Sequence, residues 1–330
     1  MRSFPLTETL TEILTGLVIQ PNFTIAHPQH PDFTVAEMVA DRLLASPIEI
    51  QTKFLVQHLQ SYLMGTYFSQ VYREPPTQPQ SFANDATWFL GQIQTANSSQ
   101  GYYDLNWTVE SIEADEQVVV IKDGLRLYMP SNCVHVPNGE LSPGELVEIV
   151  MPKNIMTIDR YVAIGNYGRL PELPVTNVYW NASPAAALAV IGALTTGLNQ
   201  LAIPFELQIE PDTSSYHRLE PLILAIRSSD YPKIAPLLLQ THLAHPTRIG
   251  VPPFAYRLAT GVAVAETENP QIDFAAQCCR SISFGIVSCP KNSTVVTQIA
   301  AIQQELLEDG VVDHKYNLVL SHNAYVKWPS

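Results

Sequence analysis

Apolar side chains in the first part of the chain recur every three to four positions, the period of helices with one buried face. The clearest stripe is Phe54, Leu55, His58, Leu59, Tyr62, Leu63 and Tyr67. Three segments, Thr9-Leu-Thr-Glu12, Thr34-Val-Ala-Glu37 and Ser46-Pro-Ile-Glu49, have the hydroxyl and carboxylate spacing of a capping box and predict helix starts. Ser46 is the strongest of them, because Pro47 suits a first helical position. His58 on the stripe reads as a packed core histidine, and Pro75-Pro-Thr-Gln-Pro79 reads as a surface linker.

From Gly101 to about Arg169 the period changes to two. Trp107–Ile112, Val118–Lys122 and Leu125–Met129 are predicted strands, and Asp123-Gly124 is a type I′ hairpin signal. Ser142-Pro-Gly-Glu145 marks a turn before a strand over Leu146–Met151. Beyond this module the two periods mix. Strands are predicted over Val175–Trp180, Phe205–Ile209, Leu222–Arg227, Gly261–Ala265, Ser281–Val287 and Lys315–Leu320. Helices are predicted from Ser183-Pro184, over Tyr231–His242 and over Thr294–Leu307. The expected class is α+β, with a helical region at 1–95, a small antiparallel β module at 96–170 and a mixed domain at 171–330.

At 330 residues the chain is long enough for a sizeable core, and 46% hydrophobic content with only 15% charged residues predicts a globular protein with a largely neutral surface. The net charge of −13 excludes a broad nucleic-acid-binding face, so any phosphate site must be a local basic pocket. Leu173–Phe205 contains no charged residue, and Pro184–Ile203 approaches a bilayer span in length. Thr195, Thr196, Asn199 and Gln200, with Glu172 and Glu206 as flanks, favour a buried core helix over membrane insertion. The acidic N-terminus without a long apolar run does not read as a signal peptide.

Common catalytic motifs are absent from the sequence: there is no phosphate loop, GxGxxG, HExxH or GxSxG. Cys133, Cys278, Cys279 and Cys289 form no CxxC and read as reduced thiols in a cytoplasmic protein. His27-Pro-Gln-His30 and His242-Leu-Ala-His245 have two-ligand spacing without a third ligand nearby. Neither a metal nor a cofactor is expected. The most suggestive stretch is Pro204–Ile226, laid out as a strand, a polar turn and a second strand. Within it Tyr216, Arg218 and Glu220 alternate where an anion could be gripped, although Arg218 and Glu220 also suit a simple ion pair. His217 lies on the opposite side of that segment and is a candidate acid only if the backbone there is irregular.

Several phrases, taken in order, resemble the HopA-type effector family, named for a type III secretion effector. They are HPQHPDF at His27–Phe33, GYYDLNW at Gly101–Trp107, VTNVYWNASPAAAL at Val175–Leu188, YHRLEPLIL at Tyr216–Leu224, PPFAYRLATGVAVAE at Pro252–Glu266 and SISFGIVSC at Ser281–Cys289. The likeness is greatest to stand-alone members carried by photosynthetic bacteria. It implies two branches: lyases that eliminate phosphate from phosphoserine or phosphothreonine during peptide maturation, and effectors known through protein partners. Elimination needs a base for a carbon-bound proton and cations for the departing phosphate. The lyase pattern implies lysines where this chain has Gln208 and Tyr256, and a basic residue where it has Ser288. An amide takes no proton at neutral pH, and a phenol does so poorly.

The remaining basic candidates are Arg218, Arg257 and Lys153; a guanidinium is a poor base, so Lys153 would have to act in a lyase. The favoured expectation is a non-catalytic binding or regulatory module that recognises an acidic or phosphorylated protein partner through Tyr216, Arg218, Glu220, Arg257, Gln208 and Tyr256. A phosphate-eliminating lyase using Lys153 and His217 is the alternative. The expected partner is a protein, a membrane-associated complex among the candidates, with the chain cytoplasmic or peripheral to such a complex.

Overall fold

The computed structural model describes residues 6–70, 72, 83–114, 116–137, 139–170, 174–267, 273–290, 292–312, 325 and 328. The N-terminal elements are α1 (Leu6–Leu14), β1 (Val18–Ile19), β2 (Ile25–His27), β3 (His30–Phe33), α2 (Glu37–Leu44), α3 (Ile48–Leu63) and α4 (Ala83–Ala96). The middle gives β4 (Tyr102–Ile112), β5 (Gln117–Lys122), β6 (Leu125–Pro130), β7 (Val134–His135) and β8 (Leu146–Met151). Next come β9 (Asn154–Met156), β10 (Tyr161–Ile164), β11 (Val175–Trp180), α5 (Pro184–Gln200), β12 (Glu206–Ile209) and β13 (Leu222–Arg227). The chain continues through α6 (Tyr231–Ala244), β14 (Tyr256–Ala259), β15 (Val262–Thr267), α7 (Phe274–Ser288) and α8 (Val295–Glu308). This is the α+β fold that the two alternating periods predict.

The largest sheet has seven antiparallel strands in the order β14-β15-β11-β13-β12-β10-β9. Its strands are nearly continuous apolar runs because both faces are covered. On one face Val178, Trp180, Leu207, Leu224 and Val264 pack with Phe89 and Ile93 of α4, Val190 and Leu194 of α5, and Ile234 and Leu238 of α6. On the other, Tyr179, Ile223, Ala263 and Ala265 meet α1, α3, α7 and α8 through Leu10, Tyr62, Cys278, Ile282 and Ile302. Strands β9 and β10 thus belong to the large sheet, while the β4–β8 sheet has its own small core of Trp107, Val109, Val118, Val120, Val147 and Ile149. Cross-strand register puts Tyr103, Ile121, Tyr128 and Leu146 together on that small sheet's opposite face, where all four are exposed.

Several local signals act as read from the sequence. Asp123 and Gly124 both take positive φ, 49° and 80°, and close the β5–β6 hairpin. Ser183 accepts the Ala186 N–H, with Pro184 at the start of α5. That helix has 17 residues, and no helix among the described residues is long and apolar enough to cross a membrane. His58 is packed between the rings of Phe33 and Phe54, and burial lowers its pKa.

Three capping boxes do not form. Thr9 lies inside α1, α2 starts after Ala36, and α3 starts after Pro47; neither of these last two has a side-chain cap. Ser46 instead donates its hydroxyl to the Arg42 carbonyl at 2.8 Å, capturing an acceptor at the end of the preceding helix. The strand expected over Ser281–Val287 is the second half of helix α7. Its buried Cys278, Cys279, Ile282 and Ile286 have helical spacing once the cysteines are counted as apolar. Gly285 permits this packing, because a Cβ there would lie 2.6 Å from the Ile302 backbone of α8. The linker at Pro75–Pro79 and the strand at Lys315–Leu320 lie outside the described residues.

Two helical glycines, Gly285 and Gly91, give opposite expectations for one substitution. Gly285→Ala forces α7 from α8 and should lower stability by about 1–3 kcal/mol. Gly91→Ala in α4 meets nothing within 4 Å and should raise it by about 0.5–1 kcal/mol, both read from urea unfolding midpoints.

Candidate functional site

At one end of the large sheet β12 stops at Ile209 and β13 begins at Leu222, and their connection carries Glu210, Asp212, Tyr216, Arg218 and Glu220. Asp212 shapes the connection: its carboxylate accepts the Ser214 N–H at 2.9 Å and the Ser214 hydroxyl at 2.7 Å. A short 3₁₀ turn over Thr213–His217 follows, so the polar turn is a folded one, and Arg218 resumes extended geometry. The turn drops the Tyr216 ring into the core, edge-on to Phe89 at 5.6 Å. Burial, then the nearby Glu210, raises the pKa of its phenol far above the ordinary value, so it stays protonated.

Tyr161 pairs with Ile209, which brings Arg160 to the same sheet end. Arg160 is 5% exposed and donates to the carbonyls of Glu220 and Pro221 at 3.1 and 3.2 Å. Its guanidinium also lies 3.6 Å from the Glu220 carboxylate. Arg218 approaches the same Glu220 oxygen at 2.8 Å and reaches Glu210 at 3.5 Å. Two guanidiniums and two carboxylates thus form one largely buried, charge-balanced network. Burial lowers the Arg160 pKa, with Arg218 adding to the effect, and raises that of Glu210 despite the opposing arginines.

A second layer closes over this end. Asn181, just past β11, donates to the carbonyls of Ile249 and Gly250, each at 3.1 Å, and accepts the Arg248 N–H through its own carbonyl at 2.7 Å. Gly261 makes room for that loop: its φ is 68°, and a Cβ would sit 2.3 Å from the Arg248 carbonyl. Held this way, Arg248 donates to the Arg218 carbonyl at 3.0 Å. Asp273, the N-cap of α7, accepts the Ala276 N–H at 3.1 Å and lies in the field of Arg160 and Arg218.

Tyr216, Arg218 and Glu220 therefore meet in one place, with Gln208 two residues before Glu210 on β12. His217 is beside them but exposed, its Nδ1 2.9 Å from the Ser214 carbonyl oxygen. The others lie apart. Tyr256 is on β14, four strands from β12 or about 19 Å at ordinary strand spacing, and packs on the face of the sheet opposite Gln208. Arg257 is exposed on the same edge strand, opposite Ala263. Lys153 lies near Ile164, at the far end of β10 from Arg160, and donates to the carbonyls of Gln94 and Asn97 at 3.0 and 2.9 Å. It serves there as a cap for the last turn of α4. Ser288 donates to the Gly285 carbonyl at the end of α7. Arg160, Glu210, Arg248 and Asp273 were not singled out from sequence.

A family model described as the HopA1 effector protein family matches residues 151–316, from the last residue of β8 through the large sheet and α5–α8. The chain belongs to the HopA1 effector protein family. Arg160, Glu210, Arg218, Glu220 and Arg248 all fall within the matched region. Among solved structures it is similar to the effector protein from Pseudomonas syringae pv. tomato strain DC3000, at 12% identity over 82% of this chain and 100% of that one, TM-score 0.45. It is similar also to the effector protein from Pseudomonas syringae pv. syringae strain 61, at 12% identity over 82% and 98% of the two chains, TM-score 0.44. No curated protein matches the chain.

Two substitutions separate the network's members. Glu220→Ala leaves two buried guanidiniums without their shared partner and should cost about 3–5 kcal/mol in urea unfolding. Glu210→Gln should cost less than about 1 kcal/mol at neutral pH, because burial already disfavours its charged form. A carboxyl whose native pKa is raised contributes stability that is complete below its unfolded value and is lost as pH rises through the native one. The Glu210→Gln protein should therefore lose less stability than the native chain as pH rises from about 4, the ordinary carboxylate range, to about 7.

Proposed function

We propose that this chain is a non-catalytic protein-binding module built on the HopA1 scaffold. The observation that carries this reading is the state of Arg218, whose guanidinium already lies against Glu220 at 2.8 Å and Glu210 at 3.5 Å. A departing phosphate needs cations that are free to take up its charge, and a network already balanced by two carboxylates offers little. Of the described groups around Arg218, Gln208 is an amide, the Tyr216 phenol is kept protonated by burial, and His217 turns its Nδ1 to the Ser214 carbonyl oxygen at 2.9 Å. The Lys153 ammonium is engaged with two carbonyls at the other end of β10. Arg218 accordingly acts as a structural ion pair, and an acidic partner would have to displace two carboxylates to reach it.

Membership of an effector family supports a protein partner, and the exposed Tyr103, Ile121, Tyr128 and Leu146 give the small sheet a face suited to protein contact. A membrane-associated complex is among the partners proposed for it, and capture from the native cell tests this.

The purified chain, mixed with a phosphothreonine peptide and followed by mass spectrometry, should release no phosphoric acid. Arg218→Ala should lower the unfolding midpoint while leaving that result unchanged. Turnover abolished by Lys153→Ala or Arg218→Ala would establish the lyase instead.

A further inference from the structure

Helix α3 does not end as a regular α-helix. Its continuation over Met64–Phe68 is a π turn, in which the Ser69 N–H donates to the Met64 carbonyl, five residues back, at 2.9 Å. The Ser69 hydroxyl donates to the same carbonyl at 3.2 Å. Such turns insert an extra residue into a helix and recur at functional sites. The chain then reverses at Gln70, whose φ is 58°, and the Tyr72 N–H donates to the Gly65 carbonyl at 3.1 Å. This lays the Tyr72 ring on Gly65, where a Cβ would overlap the ring. Phe33 of β3 supports the ring at 5.0 Å, and Tyr72 stays 37% exposed.

A cavity of about 610 Å³ opens beside this ring, within the roughly 300–1,000 Å³ range of small-molecule sites. Gln57, Gln60, Ser61 and Met64 line it from α3 and the start of the π turn, three and four positions apart and so on one face. Ser69 and Tyr72 continue the wall. Among the described residues no charged side chain lines it, in a chain whose net charge is −13. The Gln60 amide nitrogen donates to the Ala276 carbonyl of α7 at 3.4 Å, which leaves its oxygen as an acceptor. Ser61 donates its hydroxyl to the Gln57 backbone carbonyl at 3.0 Å and keeps its acceptor lone pairs. Gln57 is exposed, and its amide both donates and accepts. The Tyr72 ring and the Met64 thioether supply the apolar part of the wall.

This lining selects a ligand by exclusion. A charged group would be desolvated against a wall that offers no countercharge. A purely apolar ligand would cover amides and hydroxyls without answering their hydrogen bonds. A sugar satisfies both demands, with hydroxyls in both hydrogen-bonding roles around its rim and a C–H surface for an aromatic ring. We infer that this cavity is a binding site for a neutral saccharide, with the exposed Tyr72 ring as its apolar wall and Gln57, Gln60 and Ser61 as hydrogen-bond partners. The inference goes beyond the protein-binding reading and does not rest on it.

Saturation-transfer difference NMR on the full-length chain tests the site, with maltose and N,N′-diacetylchitobiose as probes. The C–H protons of at least one probe should receive saturation, and its titration should give a Kd on the order of 1 mM. Tyr72→Ala should weaken that binding at least about tenfold and Gln57→Ala about fivefold, through loss of the apolar wall and of one neutral hydrogen bond. Absence of saturation from both probes overturns the inference. So does glucose 6-phosphate binding more tightly than glucose, which would make the cavity an anion site. If Tyr72→Ala does not fold, the exposed Gln57 decides. A Gln57→Ala chain that melts like the native one and has lost affinity supports the site; one that binds as tightly as the native chain overturns it.

Discussion

One carboxylate shared by two guanidiniums holds the end of the large sheet together. Arg160 stands before β10 and Glu220 before β13, two strands that each pair with β12 and not with each other. By donating to the Glu220 and Pro221 carbonyls, Arg160 ties the outer strand to the inner one across the end of β12. Arg218 then joins Glu220 to Glu210, the residue just after β12. Such a buried network gains little over apolar packing of the same shape, but losing one member strands the rest. It fixes where the connection between β12 and β13 lies, and with it the position of Tyr216 in the core.

The same economy governs what the site can do. Charges that have been desolvated in mutual contact are poor receptors for a further anion, because binding must first break pairs that cannot return to water. Arg218 is engaged in this way, and Lys153 caps a helix end at the far end of β10. Family membership supplies the scaffold, and the chemistry has to be argued from the site itself.

Much of the fold was legible because it rests on local periodicity. The β5–β6 hairpin follows from Asp123-Gly124, α5 from Ser183-Pro184, and the runs Val175–Trp180 and Leu222–Arg227 from apolar continuity. The failures share a cause in non-local packing. Ser281–Val287 looks extended from its β-branched and aromatic residues, yet the groove that α8 offers to Gly285 makes it a helix. The capping box at Ser46 lost to a nearer acceptor, the Arg42 carbonyl. The site was half legible. Tyr216, Arg218 and Glu220 announce themselves by proximity, and their ion pair was one of the two readings that their spacing allowed. Arg160 is sixty residues from Glu220, and nothing in its local pattern signals a partner. Arg248 is placed by Asn181 and Gly261, whose roles exist only once the strands are assembled.

Whether the Arg218 charge is closed off is open to direct measurement. Isothermal titration of the native chain with phosphothreonine, at low ionic strength and neutral pH, reports on it without reference to turnover. The charge-balanced network predicts no saturable heat into the millimolar range. Saturable binding that disappears in Arg218→Lys, a change that keeps the charge but removes the planar fork, would contradict it.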